Sequence, residues 1–393
     1  MKILHVIQNI DTKYGGPASV IIGMNLAQNN IKHSTEIWTL KYKKQEQNHS
    51  NIKINYYNAY FTPILFSFDL YNKLIRRIHE FDIIHIHGLY RFPVSVAAWQ
   101  SRKANVPYII TPHGALDPFL YKQSRFGKWA VPLKRLYERL IDIPNLNHAS
   151  AIHYTSRDEA KRSAFCGLKA RPVIIPNGID WSSFENLPAK GSFRNRIRLN
   201  ENTPLVLFLG RINFVKGLDL LIPAFSQVLK EKPRARLALV GPDNEGYGRK
   251  VRQWCRELGI EDKVFFVDHL GPDEVRQAYV DADVFVLPSY TESFGMTVVE
   301  AMASACPVII SEKVNIWREV QADKAGLVTG LEPLLIADAI CHLLTDKKEA
   351  EFMGLRGRRS AKERYNWPRI VEQLTQVYQC AINEHAALRN MRS

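Results

Sequence analysis

Two cations and two carboxylates in the second half of the chain stand where they could hold an anionic, hydroxyl-bearing ligand. Arg211 and Lys216 belong to the stretch Gly210-Arg211-Ile212-Asn213-Phe214-Val215-Lys216-Gly217. The apolar run 205–209 precedes it, and Leu218, Leu221, Ile222, Phe225 and Leu229 follow on one helical face. A strand-to-helix loop of this kind sets both cations beside a helix N-terminus, a good place to hold a phosphate. The bland reading, two solvated surface cations, loses to that context. Downstream, the run 283–287 leads into Pro288-Ser289-Tyr290-Thr291-Glu292-Ser293-Phe294-Gly295-Met296-Thr297-Val298-Val299-Glu300-Ala301-Met302. The amides around Gly295, Met296 and Thr297 form a second helix start suited to an anion. Glu292 in the loop and Glu300 on the helix can then contact different hydroxyls of one ligand.

Other polar clusters carry less. Asp281-Ala282-Asp283 has the spacing of a metal-binding D-x-D, yet it stands where a helix ends and a strand begins, so no metal is expected there. His85 and His87 fall at i and i+2, on one face of a strand end. No third ligand accompanies them at a recognisable spacing, so they are expected to line a cleft or cap the strand and not to hold zinc. Nothing matches a Walker loop or a clean G-x-G-x-x-G. Five cysteines without a C-x-x-C pair read as reduced thiols of a cytosolic protein.

The elements that must position these residues are short apolar runs alternating with amphipathic segments. Strands are expected at 2–7, 82–86, 106–111, 150–155, 172–176, 205–210, 236–241, 263–268, 283–288 and 307–311. Many are continuously apolar, as parallel strands buried on both faces should be. The repeated strand–helix–strand rhythm argues for an α/β, doubly wound architecture. Between Pro176 and Pro204 lie Asn177-Gly178, Pro188 and Gly191 with no sustained apolar period, as in a linker. Two halves of similar size result. Residues 367–386, with Ile370, Leu374 and Tyr378 at four-residue spacing, read as a terminal helix that packs back across the boundary.

Taken in order, these motifs resemble glycosyltransferase family 4, retaining transferases of the GT-B fold. Besides Arg211, Lys216 and the segment from Glu292 to Glu300, the matches are Gly15-Gly16-Pro17, Thr111-Pro112-His113-Gly114, Pro176-Asn177-Gly178-Ile179-Asp180 and Tyr365-Asn366-Trp367. The resemblance implies two Rossmann-like domains facing each other across a cleft: 1–185 for the acceptor, 186–366 for a nucleotide sugar, and 367–393 as a helix crossing back. It implies that Arg211 and Lys216 grip the donor diphosphate, Glu300 the ribose hydroxyls and Glu292 hydroxyls of the transferred sugar. The amides of Phe294, Gly295, Met296 and Thr297 would cradle phosphate and sugar. Gly15 and Gly16 would bring a backbone amide to the phosphate, and His113 would sit beside the sugar near the reacting carbon. Fixed cations and amides would stabilise the departing diphosphate with neither metal nor other cofactor, the leaving phosphate helping to take the acceptor's proton from the same face. The implied reaction moves a hexose from a UDP- or GDP-sugar to a hydroxyl acceptor. A synthase acting on a soluble acceptor and a sugar-nucleotide epimerase are the alternatives.

Net charge divides the chain. The total is +14, and residues 1–180 hold 24 Lys/Arg against 12 Asp/Glu, so nearly all of the excess lies in the first half. That points to an anionic acceptor, such as a lipid-linked or polysaccharide intermediate of cell-surface glycan assembly. One concentration is 119–140, with Lys122, Arg125, Lys128, Lys134, Arg135 and Arg139 against Glu138. Leu133, Leu136, Tyr137 and Leu140 share a face there. The preferred reading packs that face on its own domain and leaves the basic side solvated. The other lays the segment, with Phe126 and Trp129, in an anionic membrane interface. No secretory signal and no apolar stretch of membrane-spanning length is visible, which suggests a cytoplasmic protein, peripheral at the membrane's inner face if bound at all. Nucleic-acid binding has only the high pI in its favour, and no nucleic-acid partner is expected.

Overall fold

The computed structural model describes residues 1–11, 16–41, 51–60, 64–119, 130–243 and 245–391. Its strands form two all-parallel sheets. The first holds β1 (Lys2–Ile7), β2 (Ser34–Leu40), β3 (Lys53–Tyr57), β4 (Ile83–His87), β5 (Tyr108–Thr111), β6 (Ala151–Tyr154) and β7 (Pro172–Ile174), in the order 3-2-1-4-5-6-7. The second holds β8 (Leu205–Leu209), β9 (Arg236–Val240), β10 (Val264–Val267), β11 (Val284–Leu287), β12 (Val308–Ser311) and β13 (Gly326–Thr329), in the order 10-9-8-11-12-13. Strand order reverses beside β1 in one sheet and beside β8 in the other. The loops leaving β1, β4, β8 and β11 therefore open at switch points, where such sheets bind ligands. All of β11 is buried, as its unbroken Val-Phe-Val-Leu requires.

Three strands escape a search for apolar runs. β2 (STEIWTL) carries Glu36, which is buried and accepts bonds from Lys53 Nζ at 2.7 Å, Trp38 Nε1 at 3.0 Å and Arg77 Nη2 at 3.2 Å. Burial would raise its carboxyl, but these three donors outweigh it and hold the group below the ordinary carboxylate range. Edge strand β3 is too polar to register, and β13, Gly-Leu-Val-Thr, offers only two large apolar residues in a row.

The chain divides into two compact units, 1–178 with 367–393, and 179–366. The expected first boundary, 185, comes seven residues late. Ile179 already bonds to the Tyr365 carbonyl at 2.6 Å, and Phe184 lies in the core of the second unit. The terminal helix Trp367–Asn390 belongs to the first unit and buries Ile370, Val371, Leu374 and Tyr378.

The face assigned to the basic segment is reversed. In the helix Ala130–Tyr137 and the wide turn Glu138–Asp142 that continues it, Leu133, Leu136 and Leu140 are 70%, 53% and 65% exposed. Lys134, Glu138 and Asp142 turn inward because they find partners there, while Arg135 and Arg139 stay exposed. Lys134 sits over the Tyr90 ring, 4.3 Å from its centroid, while buried Glu138 accepts from the Tyr90 hydroxyl at 3.2 Å and Asp142 from the Tyr90 amide at 3.1 Å. Tyr137 and Ser95 share a hydroxyl–hydroxyl bond of 2.9 Å. Lys122, Arg125, Phe126, Lys128 and Trp129 lie outside the described residues.

Trp367 explains why glycine stands at two distant positions of the first unit. A Cβ on Gly23 or on Gly178 would come within 2.5 Å of its indole. Gly178→Ala therefore forces a buried ring to move, an overpacking that costs about 1–3 kcal/mol. A lower melting temperature with unchanged far-UV circular dichroism is expected, and an unchanged melting temperature would show that the ring has room.

Candidate active site

In the second unit two loops are pressed together at the switch point. Gly217 has φ +70°, and a Cβ there would fall 2.0 Å from the Pro288 carbonyl oxygen, so the loop after β8 meets the loop after β11 backbone to backbone. Tyr290 donates its amide to the Val215 carbonyl at 2.8 Å, stacks on Phe214 with ring centroids 5.0 Å apart, and gives its hydroxyl to Asp219 at 2.8 Å. This brings Lys216 Nζ onto the Glu292 carboxylate, side chains that are only 13% and 18% exposed. The Glu292 backbone is fixed as well, donating to Lys313 O at 3.2 Å and accepting from Asn315 N at 3.1 Å. Arg211 is exposed in the same loop and has no partner among the described residues. Two positive groups thus stand at one loop, one of them already shared with a carboxylate.

The helix Met296–Ala303 begins beside them. Its N-cap, Gly295, has φ +91°, and no side chain caps the helix. The first amides after it are therefore left for an incoming anion. Phe294 contributes backbone only, since its ring is buried against Tyr365 in an edge-on contact of 5.5 Å. One turn further on, Glu300 does not join the Lys216–Glu292 pair. It accepts from the Tyr279 hydroxyl at 3.2 Å. Burial pushes its carboxyl up to about 7, and the Tyr279 bond offsets this only in part.

Asp281 and Asp283 are structural. Asp281 accepts from the amides of Gly191, Phe193 and Arg194 at 2.5, 2.7 and 3.0 Å. Asp283 accepts from Leu205 N at 2.7 Å and Arg194 Nη2 at 2.9 Å. These carboxylates tie the segment entering the second sheet to the start of β8, with both oxygens of Asp281 and Oδ2 of Asp283 engaged.

The first unit holds the remaining residues. Gly16 opens the helix Gly16–Asn30 after β1, whereas Gly15 lies outside the described residues. His113 follows β5 in the left-handed region, φ +52°, a conformation that needs support in a residue with a Cβ. Glu159 supplies it, accepting from the Gly114 amide at 2.6 Å and from the Thr155 amide and hydroxyl at 2.7 Å each. Glu159 was missed in the sequence, although Ser156-x-x-Glu159 has the spacing of a capping box; Ser156 Oγ accepts from Glu159 N at 3.0 Å, while the Glu159 carboxylate turns to Thr155 and Gly114 and not to the Ser156 amide. His113 lines a cavity of about 400 Å³, with Asn9, Asp11, His87 and Arg91 among its other walls. His87, only 1% exposed, reaches that wall, and His85 is fully buried behind it.

Two switch-point sites, one offering cations and a bare helix start and the other a strained histidine, define a chain built like the two-domain nucleotide-sugar transferases. The model for Glycosyltransferase Family 4 matches residues 14–182, and that for Glycosyl transferases group 1 matches 190–360. The D-inositol 3-phosphate glycosyltransferase of Geodermatophilus obscurus is 32% identical over 322 residues, 78% of this chain and 68% of that protein. Its counterpart from Kineococcus radiotolerans is 33% identical over 236 residues, 56% of this chain and 54% of that protein, so the chain spans about half the length of that relative. The structure of HepE from Anabaena, in complex with UDP and glucose, superposes with a TM-score of 0.79 at 20% identity, covering 97% of this chain and all of that one. The chain belongs to glycosyltransferase family 4, with the GT-B type of fold.

The Glu300 carboxyl gives a stability test. Its folded value near 7 lies above the unfolded value of 4.5, so the native state holds the proton more tightly. Its contribution is present below pH 4.5 and is lost as pH rises through 7, an effect of at most about 3 kcal/mol. Glu300→Gln should melt higher than the wild type at pH 8, with the gap closing below pH 5. An equal gap at both pH values would contradict the buried-carboxyl account.

Proposed function

We propose that the chain transfers a hexose from a nucleoside diphosphate sugar to a hydroxyl acceptor with retention of configuration. The observation that carries this reading is the convergence of Arg211, Lys216 and the uncapped amides after Gly295 on one loop pair, with Glu292 within reach of the same ligand. Departure of a nucleoside diphosphate builds negative charge. Two placed cations and a helix start already oriented toward it lower that barrier without reorganising. Lys216 has three N–H donors, so it can keep Glu292 on one and offer another to phosphate. Glu292 then accepts from sugar hydroxyls, Glu300 from the ribose, and Gly16 adds an amide for phosphate. His113, in the cavity of the first unit, takes a sugar hydroxyl. The charge stabilisation assigned to these groups needs no resident metal.

The acceptor side rests on the outward leucines. A helix that turns Leu133, Leu136 and Leu140 to solvent, flanked by exposed Arg135 and Arg139, fits the surface of an anionic membrane. A lipid-linked intermediate of surface-glycan assembly is the acceptor that such a surface would meet, at the cytoplasmic face. A soluble phosphorylated acceptor is the second reading, favoured by Arg91 in the wall of the His113 cavity and by relatives named for inositol 3-phosphate.

Lys216→Ala and Arg211→Ala should each lower kcat by about 10²–10³-fold, the loss typical of one charge-stabilising donor, in an assay of nucleoside diphosphate release. Near-normal rates would remove the diphosphate role. Activity should survive EDTA, and a strict metal requirement would contradict the metal-free scheme. Arg135→Glu with Arg139→Glu should weaken binding to phosphatidylserine vesicles at least tenfold, at about 1 kcal/mol for each cation lost near the surface. Unchanged binding in sedimentation would leave the soluble-acceptor reading.

A further inference from the structure

Behind His113 the first unit buries more histidines than packing asks for. Register places them: His5 on β1 is opposite His85 on β4, and His87 is opposite Thr111 on β5. Because side chains two residues apart share a face, these groups gather on one side of the sheet. His5, His85, His87 and His153 are each no more than 1% exposed, and every ring nitrogen of the four has a hydrogen-bond partner.

The direction of these bonds follows from one fixed end. His153 Nε2 lies 2.8 Å from the Ile175 carbonyl, which can only accept, so Nε2 carries the proton and Nδ1 of the neutral ring accepts. Thr111 Oγ1, 2.9 Å from that Nδ1, must donate to it, and so accepts from His85 Nε2 at 2.7 Å. His85 Nδ1 is then an acceptor, and the Tyr378 hydroxyl donates to it at 2.7 Å. Tyr378 in turn accepts from Gln28 Nε2 at 3.2 Å, and Gln28 Oε1 accepts from His5 Nε2 at 2.7 Å. His5 Nδ1 accepts from His87 Nε2 at 3.0 Å, and His87 Nδ1 accepts from His113 Nε2 at 3.2 Å. Each member donates once and accepts once along the chain, and no step calls for a charged ring.

We propose that this directional chain locks neutral His113 as the Nε2–H tautomer, which leaves its Nδ1 lone pair as an obligate acceptor for a substrate hydroxyl. The hydroxyl assignment rests on the function proposed above; the tautomer does not. Tyr378, Gln28, His5 and His87 are positioning residues, acting on substrate only through His113. Burial agrees with neutral rings, pulling His5 and His153 down to about 4, His113 to about 3, and His85 and His87 well below their ordinary value. An accept-only Nδ1 welcomes an O–H donor and repels a carboxylate, so at this position a hexose is favoured over its uronic acid.

Tyr378 is where the chain can be unlocked. In the intact chain, turning the Gln28 amide over would leave His85 Nδ1 without a donor. In Tyr378→Phe that penalty is gone, so the branch from Gln28 to His113 can run either way and His113 becomes a mixture of tautomers. An even mixture halves the apparent affinity for a hydroxyl donor, about a twofold change.

The decisive measurement is the ¹⁵N spectrum of histidine-labelled full-length protein, with His113 assigned by His113→Asn. The expected wild-type result is a pyridine-type Nδ1 and a pyrrole-type Nε2, moving toward their average in Tyr378→Phe. A protonated Nδ1 in the wild type, or the same tautomer in Tyr378→Phe, would overturn the lock. One equivalent of zinc bound by His5, His85 and His87, whose nitrogens lie within 4.8 Å of one another, would overturn it too. UDP-glucose and GDP-mannose are then compared with UDP and GDP. A shift of Nδ1 with a sugar nucleotide alone supports the hydroxyl assignment. Binding of a sugar nucleotide, seen by calorimetry, without that shift overturns the assignment. If calorimetry shows no binding of either, the proposed function fails and the hydroxyl assignment with it, while the tautomer result stands.

Discussion

The candidate site of the second unit depends on a close approach of two backbones. A Cβ at 217 would collide with the Pro288 carbonyl, so glycine there lets the loop after β8 lie against the loop after β11, where Lys216 meets Glu292. The resulting pair is largely enclosed, so removing either partner leaves a charge poorly compensated, a far larger penalty than at an open surface. The pair fixes both side chains at the mouth of the loops, which is where the proposed reading puts the diphosphate and the sugar hydroxyls. The Tyr290 ring, stacked on Phe214 and bonded to Asp219, is the clamp that prevents the two loops from drifting apart.

The two units use the same architecture for opposite electrostatic ends. In the second, the strand-end loops bring a held lysine, an exposed arginine and a bare helix start next to one another, groups that an anion can use. In the first, strand ends deliver a neutral histidine held in a left-handed turn by Glu159, with buried rings aligned behind it. Net positive charge is concentrated in the first half, and Arg91 brings part of it to the wall of the His113 cavity. Lys134 is taken up by Tyr90 and the acidic residues of its own segment, and Arg135 and Arg139 face outward.

Much of this is legible in the amino-acid sequence. Unbroken apolar runs such as Val284–Leu287 cannot be anything but buried, and each led to the loop that follows it. Arg211, Lys216, Glu292 and the Gly295 helix start were found that way. What escaped was what depends on partners distant in sequence. Glu36 looks like a surface charge until Lys53, Arg77 and Trp38 surround it, and β2 is hidden with it. The leucine stripe of 133–140 was read with the right period and the wrong direction, because only Tyr90 and Ser95, some forty residues away, draw the polar face inward. His85 and His87 were seen as a pair, but the alignment of His5, His153, Tyr378 and Gln28 with them is set by strand register and by a helix from the far end of the chain.

The most direct test of the central claim is calorimetric titration of wild type and Glu292→Gln with a nucleoside diphosphate and with its sugar conjugate. If Glu292 binds the sugar while Lys216 and the helix start bind phosphate, the substitution weakens the sugar nucleotide by about 10–100-fold, the worth of a hydrogen bond to a charged group. Affinity for the bare diphosphate stays the same or rises as Lys216 is freed. Equal losses for both ligands, or no loss for either, would contradict the division of labour between the two loops.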